Sequence, residues 1–367
     1  MFTAPQTLVN KLVVLATVIG LGSALAFLLV ACGGESSARP RPATWKVLPA
    51  APIKTAGLTG VASVWTGKEL IVVGVRPGPD GTFIKSKNVA AAYDPSTRTW
   101  RRLARAPRMQ NYCRRDVAWT GKQLLLWGCS QAAFDPQTNS WRMLPKAPTG
   151  EGFVAWADRE LIGWGGGCCG DAWDGGSAYD PASNSWRTLP RSPLAPSQGP
   201  IGAWTGRKVV LVVNGYDPEG KAYPTRFARA AAYDPATDAW RRLAPPPSSA
   251  LRYGGTATWD GHELLVVGNS GPRVRTTLAY DPATNRWRRL ARPPAGLTPM
   301  ATFWTGRRLV VLGGESLRGF VYDPQDDRWA VLPRIPLQGS GQTAAWTGRQ
   351  LIVWSSAGGA TFTPAHA

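Results

Sequence analysis

AYDPATNRW, residues 279–287, occurs with small changes six times along the chain. Each copy has an aromatic residue, an Asp-Pro pair and a tryptophan seven residues after the aromatic one. The copies end at Trp100, Trp141, Trp186, Trp240, Trp287 and Trp329. An Asp-Pro pair favours a turn, because the Asp side chain can bond the backbone ahead of it. The constant interval gives every turn the same length, so each copy predicts a β-hairpin.

A second phrase, Trp-Thr-Gly followed by a basic residue and an apolar run, alternates with the first. It occurs seven times, with WDGHE and WADREL as variants. The copies begin at Trp65, Trp119, Trp156, Trp204, Trp259, Trp304 and Trp346. A Thr-Gly or Asp-Gly turn before a β-branched run is typical of a hairpin. Two hairpins give a four-stranded sheet about every 48 residues, and a sheet that small must pack against neighbouring repeats.

The order of strand, turn, glycine-containing strand, tyrosine and tryptophan resembles the kelch repeat, over residues 44–367. Seven copies are similar to a seven-bladed β-propeller, an all-β fold of four-stranded antiparallel blades. The diglycine of the kelch pattern is kept only at Gly165-Gly166 and Gly313-Gly314. Another propeller subtype or a different number of blades is the alternative.

The two ends of the chain supply complementary parts of one repeat. The last repeat ends with Phe362, Thr363 and Pro364 in place of Tyr-Asp-Pro, and no tryptophan follows. Residues 44–49, TWKVLP, match the segment that follows the other Asp-Pro turns. We therefore predict that an N-terminal strand completes the last blade and closes the ring. We expect the repeated tryptophans to fill the space between blades.

The first 32 residues indicate a signal sequence that directs the protein to a membrane. Residues 12–31 carry no charge, and Leu29-Val30-Ala31-Cys32 resembles the bacterial lipobox, in which the peptide is cut before the cysteine and the thiol carries a diacylglycerol. We predict a signal peptide over 1–31, a lipidated cysteine and tether over 32–43, and a propeller over 44–367. The protein would then be anchored on the extracytoplasmic side of a bacterial membrane. An uncleaved signal anchor, or a conventional signal peptide with an accidental cysteine, is the alternative.

The chain is strongly basic, with 42 Lys and Arg residues against 23 Asp and Glu residues. Such a balance favours anionic partners such as envelope polymers, acidic lipid headgroups or nucleic acid. Nucleic acid is disfavoured, because basic-aromatic stretches such as WRRLARPP recur as part of the repeat. The alternative is a basic surface without a specific partner.

The loops between the repeated turns differ widely in length and content. Function concentrates on variable loops held by a rigid scaffold, so we expect the site on that face of the propeller. Candidate ligand-binding residues near the starts of the innermost strands are Tyr112, Arg114, Arg115, Asp116, Glu151, Arg252, Tyr253 and Gln342. Arg and Tyr there could bind a carboxylate, phosphate or sugar. Alternatively, these side chains solvate the channel mouth and pair with one another.

Established catalytic patterns are not found in the sequence. The two histidines are His262, in a short turn, and His366, the penultimate residue, so neither a metal cluster nor a Ser-His-Asp set is indicated. The copper site of galactose oxidase, a kelch-like enzyme, uses two histidines and a Cys-linked tyrosine, so that activity is not implied. No sialidase box occurs, and we expect no cofactor. Asp171 and Asp174 could act in acid-base catalysis but are more typical of turns.

Four further cysteines, Cys113, Cys129, Cys168 and Cys169, allow three disulfide pairings in an oxidising compartment. We favour Cys113–Cys129, which flank the turn at Trp119. A three-residue turn would place them opposite each other, whereas a two-residue turn would shift them out of register. Cys168–Cys169, or Cys129–Cys168, are the alternatives. A redox enzyme is less supported, since no Cys-x-x-Cys motif occurs.

Together these features predict a monomeric, lipid-anchored propeller that binds or scaffolds an anionic envelope ligand or a surface protein. The alternative is a carbohydrate-active enzyme, similar to kelch-type sialic acid mutarotases, that uses Arg and carboxylate groups in the propeller mouth. That activity needs an acid and a base with shifted pKa values, which a sequence does not show.

Overall fold

The computed structural model forms seven β-sheets from the repeated phrases of the sequence. It describes residues 44–53, 57–78, 87–107, 116–128, 130–149, 152–167, 170–247, 251–252, 254–269, 275–313, 317–337 and 342–364. The strands in these ranges are β1 (Trp45–Val47), β2 (Thr59–Trp65), β3 (Leu70–Arg76), β4 (Lys87–Asp94), β5 (Thr99–Arg102), β6 (Asp116–Trp119), β7 (Leu124–Trp127), β8 (Ala132–Asp135), β9 (Ser140–Met143), β10 (Phe153–Ala157), β11 (Glu160–Trp164), β12 (Gly176–Asp180), β13 (Ser185–Thr188), β14 (Ile201–Trp204), β15 (Val209–Val212), β16 (Ala230–Asp234), β17 (Ala239–Arg242), β18 (Gly255–Trp259), β19 (Leu264–Asn269), β20 (Arg275–Asp281), β21 (Arg286–Leu290), β22 (Pro299–Trp304), β23 (Leu309–Gly313), β24 (Arg318–Asp323), β25 (Arg328–Val331), β26 (Thr343–Trp346), β27 (Leu351–Ser355) and β28 (Gly358–Phe362).

Blades 1 to 6 each take four consecutive strands, from β2–β5 to β22–β25, and all pairings are antiparallel. Blade 7 combines β26, β27 and β28 with β1 as its fourth strand. Trp45 lies opposite Phe362 and Val47 opposite Ala360. The predicted closure of the ring by an N-terminal strand is therefore confirmed.

The first strands of successive blades lie side by side around the ring. They are β2, β6, β10, β14, β18, β22 and β26, and β26 contacts β2 again. These seven strands surround a central channel. The predicted seven-bladed β-propeller is therefore confirmed.

The hydrophobic core lies between the blades. Ile71 and Val73 of blade 1, for example, pack with Leu124, Leu126 and Phe134 of blade 2. Equivalent clusters join each later pair of neighbouring blades, and another joins blade 7 to blade 1. No blade buries its own faces, as expected for a repeat architecture.

The Asp-Pro phrase forms the turn between the third and fourth strands. In blade 5, Tyr280 lies opposite Trp287 with ring centres 5.0 Å apart, and Asp281 Oδ1 accepts the Ala283 N–H at 2.8 Å. The Tyr280 hydroxyl donates to Asn285 Oδ1 at 2.8 Å. The residue at the Asn285 position has a positive φ in all six turns. These residues are Arg98, Asn139, Asn184, Asp238, Asn285 and Asp327.

The tryptophan that follows each turn binds the preceding blade through its indole N–H. Trp287 Nε1 donates to the Ala244 carbonyl at 2.8 Å, and Ala244 is the fourth residue after Trp240 of the preceding blade. The donor and acceptor pairs are Trp45–Pro333, Trp100–Pro49, Trp141–Ala104, Trp186–Pro145, Trp240–Pro190, Trp287–Ala244 and Trp329–Ala291. This set joins all seven blades in one closed circuit. The prediction that these tryptophans fill the space between blades is confirmed.

The described strands all belong to one compact unit, Pro42–Ala367. Within the described ranges, no helix is long and apolar enough to cross a membrane. The predicted signal peptide and tether, residues 1–43, lie outside the described residues.

Candidate binding surfaces

The two faces of the propeller differ in their connections. The short-turn face carries the turns between first and second strands and those between third and fourth strands. The variable-loop face carries the connections between second and third strands and those between blades. The turns between first and second strands are tight. In blade 2, Thr120 Oγ1 accepts the Gln123 N–H at 2.9 Å, and Gly121, which directly follows Thr120, has a φ of 88°. Two residues separate Thr120 and Gln123, whose main chains are bonded at 3.0 Å.

A cavity of about 370 Å³ opens at the variable-loop end of the channel, among blades 6, 7, 1 and 2. Its polar lining consists of Ser63, Asp116, Gln342 and Thr343, and Ser63 Oγ and Thr343 Oγ1 are hydrogen-bonded at 2.9 Å. Much of the remaining lining is apolar and includes Val61, Val117, Met300 and Leu317. The structure therefore brings two predicted site residues, Asp116 and Gln342, into the wall of one cavity.

The seven first strands give this channel little charge. Asp116 is the one charged residue on these strands within the described ranges. The enzyme alternative needs a second titratable group, for which the sequence offered Glu151. Glu151 lies outside the described residues, together with Tyr112, Arg114, Arg115, Tyr253, Cys32, Cys113, Cys129, Cys168, Cys169 and His366.

Arg252 does not share this cavity. It is exposed just before the first strand of blade 5, and its guanidinium carbon lies 5.4 Å from the centre of the Tyr216 ring. Tyr216 belongs to the long loop of blade 4, residues 213–229. An arginine over an aromatic face gains a cation–π attraction, which ties Arg252 to the neighbouring blade. The single mouth site predicted from the sequence is therefore divided between two places.

The described parts of the glycine-rich loop of blade 3, residues 165–167 and 170–175, are hydrogen-bonded to the segment that leads into blade 4. The Gly166 N–H donates to the Ser197 carbonyl at 2.8 Å, and the Ser197 N–H donates to the Trp173 carbonyl at 3.0 Å. Gln198 Nε2 donates to the Asp171 carbonyl at 2.8 Å. The Trp173 side chain is 41% exposed. This loop therefore presents a large aromatic ring to solvent on a fixed backbone.

The loop of blade 4 is anchored by its aromatic residues. Tyr223 and Phe227 form a T-shaped pair, 5.8 Å between ring centres, and pack on the core between blades 3 and 4. Burial raises the pKa of Tyr223, and the carboxylates of Asp217 and Asp174 raise it further. The segment that leads into blade 4 joins the two loops, since the Ala195 N–H donates to the Ala228 carbonyl at 3.1 Å and the Ser197 N–H donates to the Trp173 carbonyl. The exposed Arg226 lies with its guanidinium carbon 5.0 Å from the Phe227 ring centre.

We call the surface formed by Trp173, Tyr216, Tyr223, Arg226 and Arg252 the blade 3–5 surface. Sequence reasoning named Arg252 alone among these residues, because the other four stand in loops that no repeat pattern describes. Their composition, aromatic residues with arginines, was the signal available, but it indicates a site only once the loops are seen to adjoin.

Arg229, at the end of the blade 4 loop, was not predicted either. Its Nη1 donates to the Pro246 carbonyl at 3.2 Å, while Nε and Nη2 are buried without a hydrogen-bond partner. Burial lowers the pKa of this guanidinium, and nearby Tyr216 opposes that shift. The corresponding residues are Val89 in blade 1 and the exposed Arg318 in blade 6, so the repeat does not indicate that Arg229 is buried.

The two faces also differ in charge. On the short-turn side, basic groups pair with carboxylates, as Arg101 does with Glu69 at 2.7 Å and Arg187 with Glu160 at 2.6 Å. Further pairs there are Arg288–Glu263, Arg308–Asp323 and Lys208–Asp234. Described basic residues on the variable-loop side are Arg76, Lys87, Arg102, Arg105, Lys146, Arg191, Lys221, Arg226, Arg229, Arg242, Arg252, Arg289, Arg292, Arg318 and Arg334. The described acids of that side are Asp116, Asp171, Asp174, Asp217 and Glu219. The excess positive charge is therefore concentrated on the variable-loop side.

The fold defines the chain as a seven-bladed β-propeller. The sequence matches no family model and no curated protein. Among solved structures, one of YCF48 bound to D1 peptide is similar, with a TM-score of 0.55 and 13% identity, over 89% of this chain and 96% of that chain. A crystal structure of the mitotic checkpoint complex contains a chain with a TM-score of 0.57 and 14% identity, over 94% of this chain and 100% of that chain. Identities this low show the fold alone, so the kelch subtype and the lipoprotein signal are not confirmed.

Proposed function

We propose that this protein is a binding module whose variable-loop face recognises an acidic segment of a protein partner. One observation carries the proposal: the blade 3–5 surface presents Trp173, two tyrosines and two arginines on adjoining loops. Trp, Tyr and Arg are the residue types that dominate the energy of protein interfaces. Because hydrogen bonds and core packing already fix these loops, little conformational entropy is lost on binding.

The charge of the variable-loop side supports an acidic partner. Basic side chains outnumber carboxylates there, so a negatively charged segment would be attracted before contact is made. The similar structures also support a protein partner by analogy, since YCF48 is bound to D1 peptide and the checkpoint structure is a protein complex.

We further propose the kelch subtype and a lipid anchor on Cys32, both on the sequence features described above. The anchor would place the binding module on the extracytoplasmic side of the membrane. Mass spectrometry of the protein from bacterial membranes tests it. The expected N-terminal peptide begins at a diacylglycerol-modified Cys32, and a peptide that retains residues 1–31 would contradict the proposal.

The binding proposal is tested with residues 33–367 and a membrane-free fraction of envelope proteins and polymers, across a salt series. We expect saturable binding that weakens with salt and that is lost in a Trp173→Ala/Arg226→Ala/Arg252→Ala variant. A Val331→Ala/Arg286→Ala/Arg328→Ala variant is the matched control, since it also removes two arginines and one exposed apolar side chain, from the outer strands of blades 5 and 6.

Digestion of the fraction with a protease separates a protein partner from a polymer. Loss of binding after digestion supports the proposal. Binding that survives digestion would show that an anionic polymer is the ligand instead. Equal loss in both triple variants would remove the blade 3–5 surface as the site.

A further inference from the structure

The short-turn face carries a basic residue at one equivalent position in all seven blades. This residue lies in the turn between the first and second strands, directly after the glycine or, in blade 3, after Asp158. The seven residues are Lys68, Lys122, Arg159, Arg207, His262, Arg307 and Arg349, and all are exposed. Because the first strands surround the channel, these side chains form a ring around its short-turn end. We call them the basic ring.

The fold itself does not require a basic residue at this position. In blade 2 the turn is held by Thr120, whose Oγ1 accepts the N–H groups of Lys122 and Gln123. The Lys122 side chain forms no hydrogen bond or ion pair with a described residue, and the same is true of Arg159, Arg207 and Arg349. Arg307 donates to Gln325 Oε1 at 3.2 Å. The turn does not need a basic side chain at this position, yet six blades have Lys or Arg there and the seventh has His, which points to a role for the charge itself.

The carboxylates of this face are engaged elsewhere. Glu69 and Glu160 accept bidentate hydrogen bonds from Arg101 and Arg187. The aspartates of the Asp-Pro turns cap their own turns, as Asp281 does. Those turns join the third and fourth strands, farther from the channel than the basic ring. Asp158 and Asp260 lie in the turns of the ring itself, where Asp158 accepts from Trp204 Nε1 and Asp260 accepts main-chain N–H groups of its own turn. Positive charge therefore predominates around the channel, and most carboxylates of this face lie farther out.

The chain enters the propeller on this same face. β28 follows the turn at residues 356–357 on the variable-loop face and therefore runs toward the short-turn face, where its antiparallel partner β1 begins. Thr44 and Thr363 line a cavity there together with Pro95 and Arg98 of the blade 1 Asp-Pro turn. The predicted tether, residues 32–43, thus joins the propeller at the short-turn face. Twelve residues reach at most about 40 Å when fully extended.

We propose that the short-turn face lies against anionic lipid headgroups, with the basic ring contacting their phosphates. The orientation rests on the lipid anchor of the proposed function. The diacylglycerol on Cys32 would supply two acyl chains, which hold the protein at the membrane, and a basic patch would add an electrostatic attraction that sets which face lies against it. In this arrangement the variable-loop face is directed away from the membrane, where a partner can reach the blade 3–5 surface.

The test uses residues 33–367, which retain every described strand of the closed ring, from Trp45 to Phe362. The probes are vesicles of phosphatidylglycerol with phosphatidylcholine, and vesicles of phosphatidylcholine alone. We expect sedimentation with the anionic vesicles only, weakening as salt is raised. A ring variant replaces six residues with Gln: Lys68, Lys122, Arg159, Arg207, Arg307 and Arg349. We expect its vesicle affinity to fall by about tenfold or more.

The control variant removes the same number of charges from the variable-loop side, replacing Arg105, Lys146, Arg191, Arg292, Arg318 and Arg334 with Gln. It should bind anionic vesicles far better than the ring variant. An equal or greater loss in the control would overturn the proposal, since net charge would then explain the attraction. So would a parent protein that ignores anionic vesicles at low salt. Thermal melts confirm that both variants fold, and the partner assay, which contains no membrane, succeeds or fails independently.

Discussion

At the scale of single residues, the packing between blades 2 and 3 leaves no space for a side chain at Gly163 of β11. A Cβ added there would lie 2.5 Å from Cζ2 of Trp127, a fully buried ring of blade 2. We expect Gly163→Ala to lower the free energy of unfolding by about 1–3 kcal/mol, the usual cost of overpacking. Gly199→Ala is the control, because nothing lies within 4 Å of its added methyl group. Equal urea unfolding curves for the two variants would contradict the expected strain.

Asp327 should make stability depend on acid pH. Its pKa is lowered first by the hydrogen bond from the Tyr322 hydroxyl, at 2.6 Å, and then by the Ala291 N–H, at 2.8 Å. The pKa of the Asp327 carboxyl is lower in the folded state than its ordinary value of 3.8. Ionised Asp327 therefore stabilises the folded protein at pH values above 3.8. That contribution is lost as the pH falls through the lowered, folded-state value.

The variant Asp327→Asn tests this dependence. Asn retains the oxygen acceptor, as Asn285 does at the same position of blade 5, so we expect little change at pH 7. Between pH 7 and pH 3, we expect the unfolding free energy of the variant to fall less than that of the parent. Urea unfolding at both pH values is the measurement, and an identical fall in both proteins would contradict it.

Residues that serve the repeat were predictable from the sequence, whereas residues that serve the loops were not. The constant interval from Tyr280 to Trp287 follows from one turn conformation, which a local pattern encodes. The burial of Arg229 and the contact of Arg252 with Tyr216 depend on how separate loops pack. Such packing leaves no periodic trace in the sequence. The predicted cluster at the channel mouth stays a prediction, since most of its residues lie outside the described ranges.

At the scale of the blade, an ion pair joins the start of the second strand to the third-to-fourth-strand hairpin in blades 1, 3, 4, 5 and 6. Where the second strand starts with an acid, as at Glu160, its partner is the arginine that follows the fourth-strand tryptophan, here Arg187. Where the corresponding residue is basic, as at Lys208 and Arg308, its partner is an aspartate of the Asp-Pro turn. The charge of this position therefore varies with its neighbours, unlike that of the basic ring beside it.

Replacing Glu160 with Gln should cost less than about 1 kcal/mol, because partly exposed ion pairs are screened by solvent and Arg187 is 36% exposed. Blade 2 already contains the neutral version of this contact, Gln123 with Arg142 at 3.4 Å. Chemical denaturation at low and at high salt measures the effect, and the difference should shrink at high salt. A loss of several kcal/mol that salt leaves unchanged would show that the pair is not screened.

At the scale of the whole molecule, stability depends on a ring that has no open edge. Deleting residues 44–50 removes β1, the Trp45 donor to Pro333 and the Pro49 acceptor of Trp100. We expect a loss of about 3 kcal/mol or more, since two indole hydrogen bonds and the packing of a strand disappear together. A protein that lacks only residues 33–43 is the control. Thermal melts should separate the two, and a 44–50 deletion that melts like the parent would contradict this.

The overall architecture was predictable because the same repeat pattern occurs seven times in the sequence. Six complete hairpin pairs and one divided between the chain ends leave little choice of topology, and the pairing of Trp45 with Phe362 confirms it. The blade 3–5 surface occurs once, in loops of unequal length, so no repeat in the sequence indicates which blades form it.

The indole hydrogen bonds between blades form a closed circuit, although the chain itself has two ends. Thr44 and Thr363 line the same cavity, so a short linker could join them, and new ends could be opened in any other Asp-Pro turn. Such a circular permutant would keep every blade and every indole hydrogen bond. Each fourth strand begins at the short-turn face, as β1 does. Permutation would therefore move the N-terminus of the propeller from blade to blade around the ring, while the face on which the chain enters stayed the same.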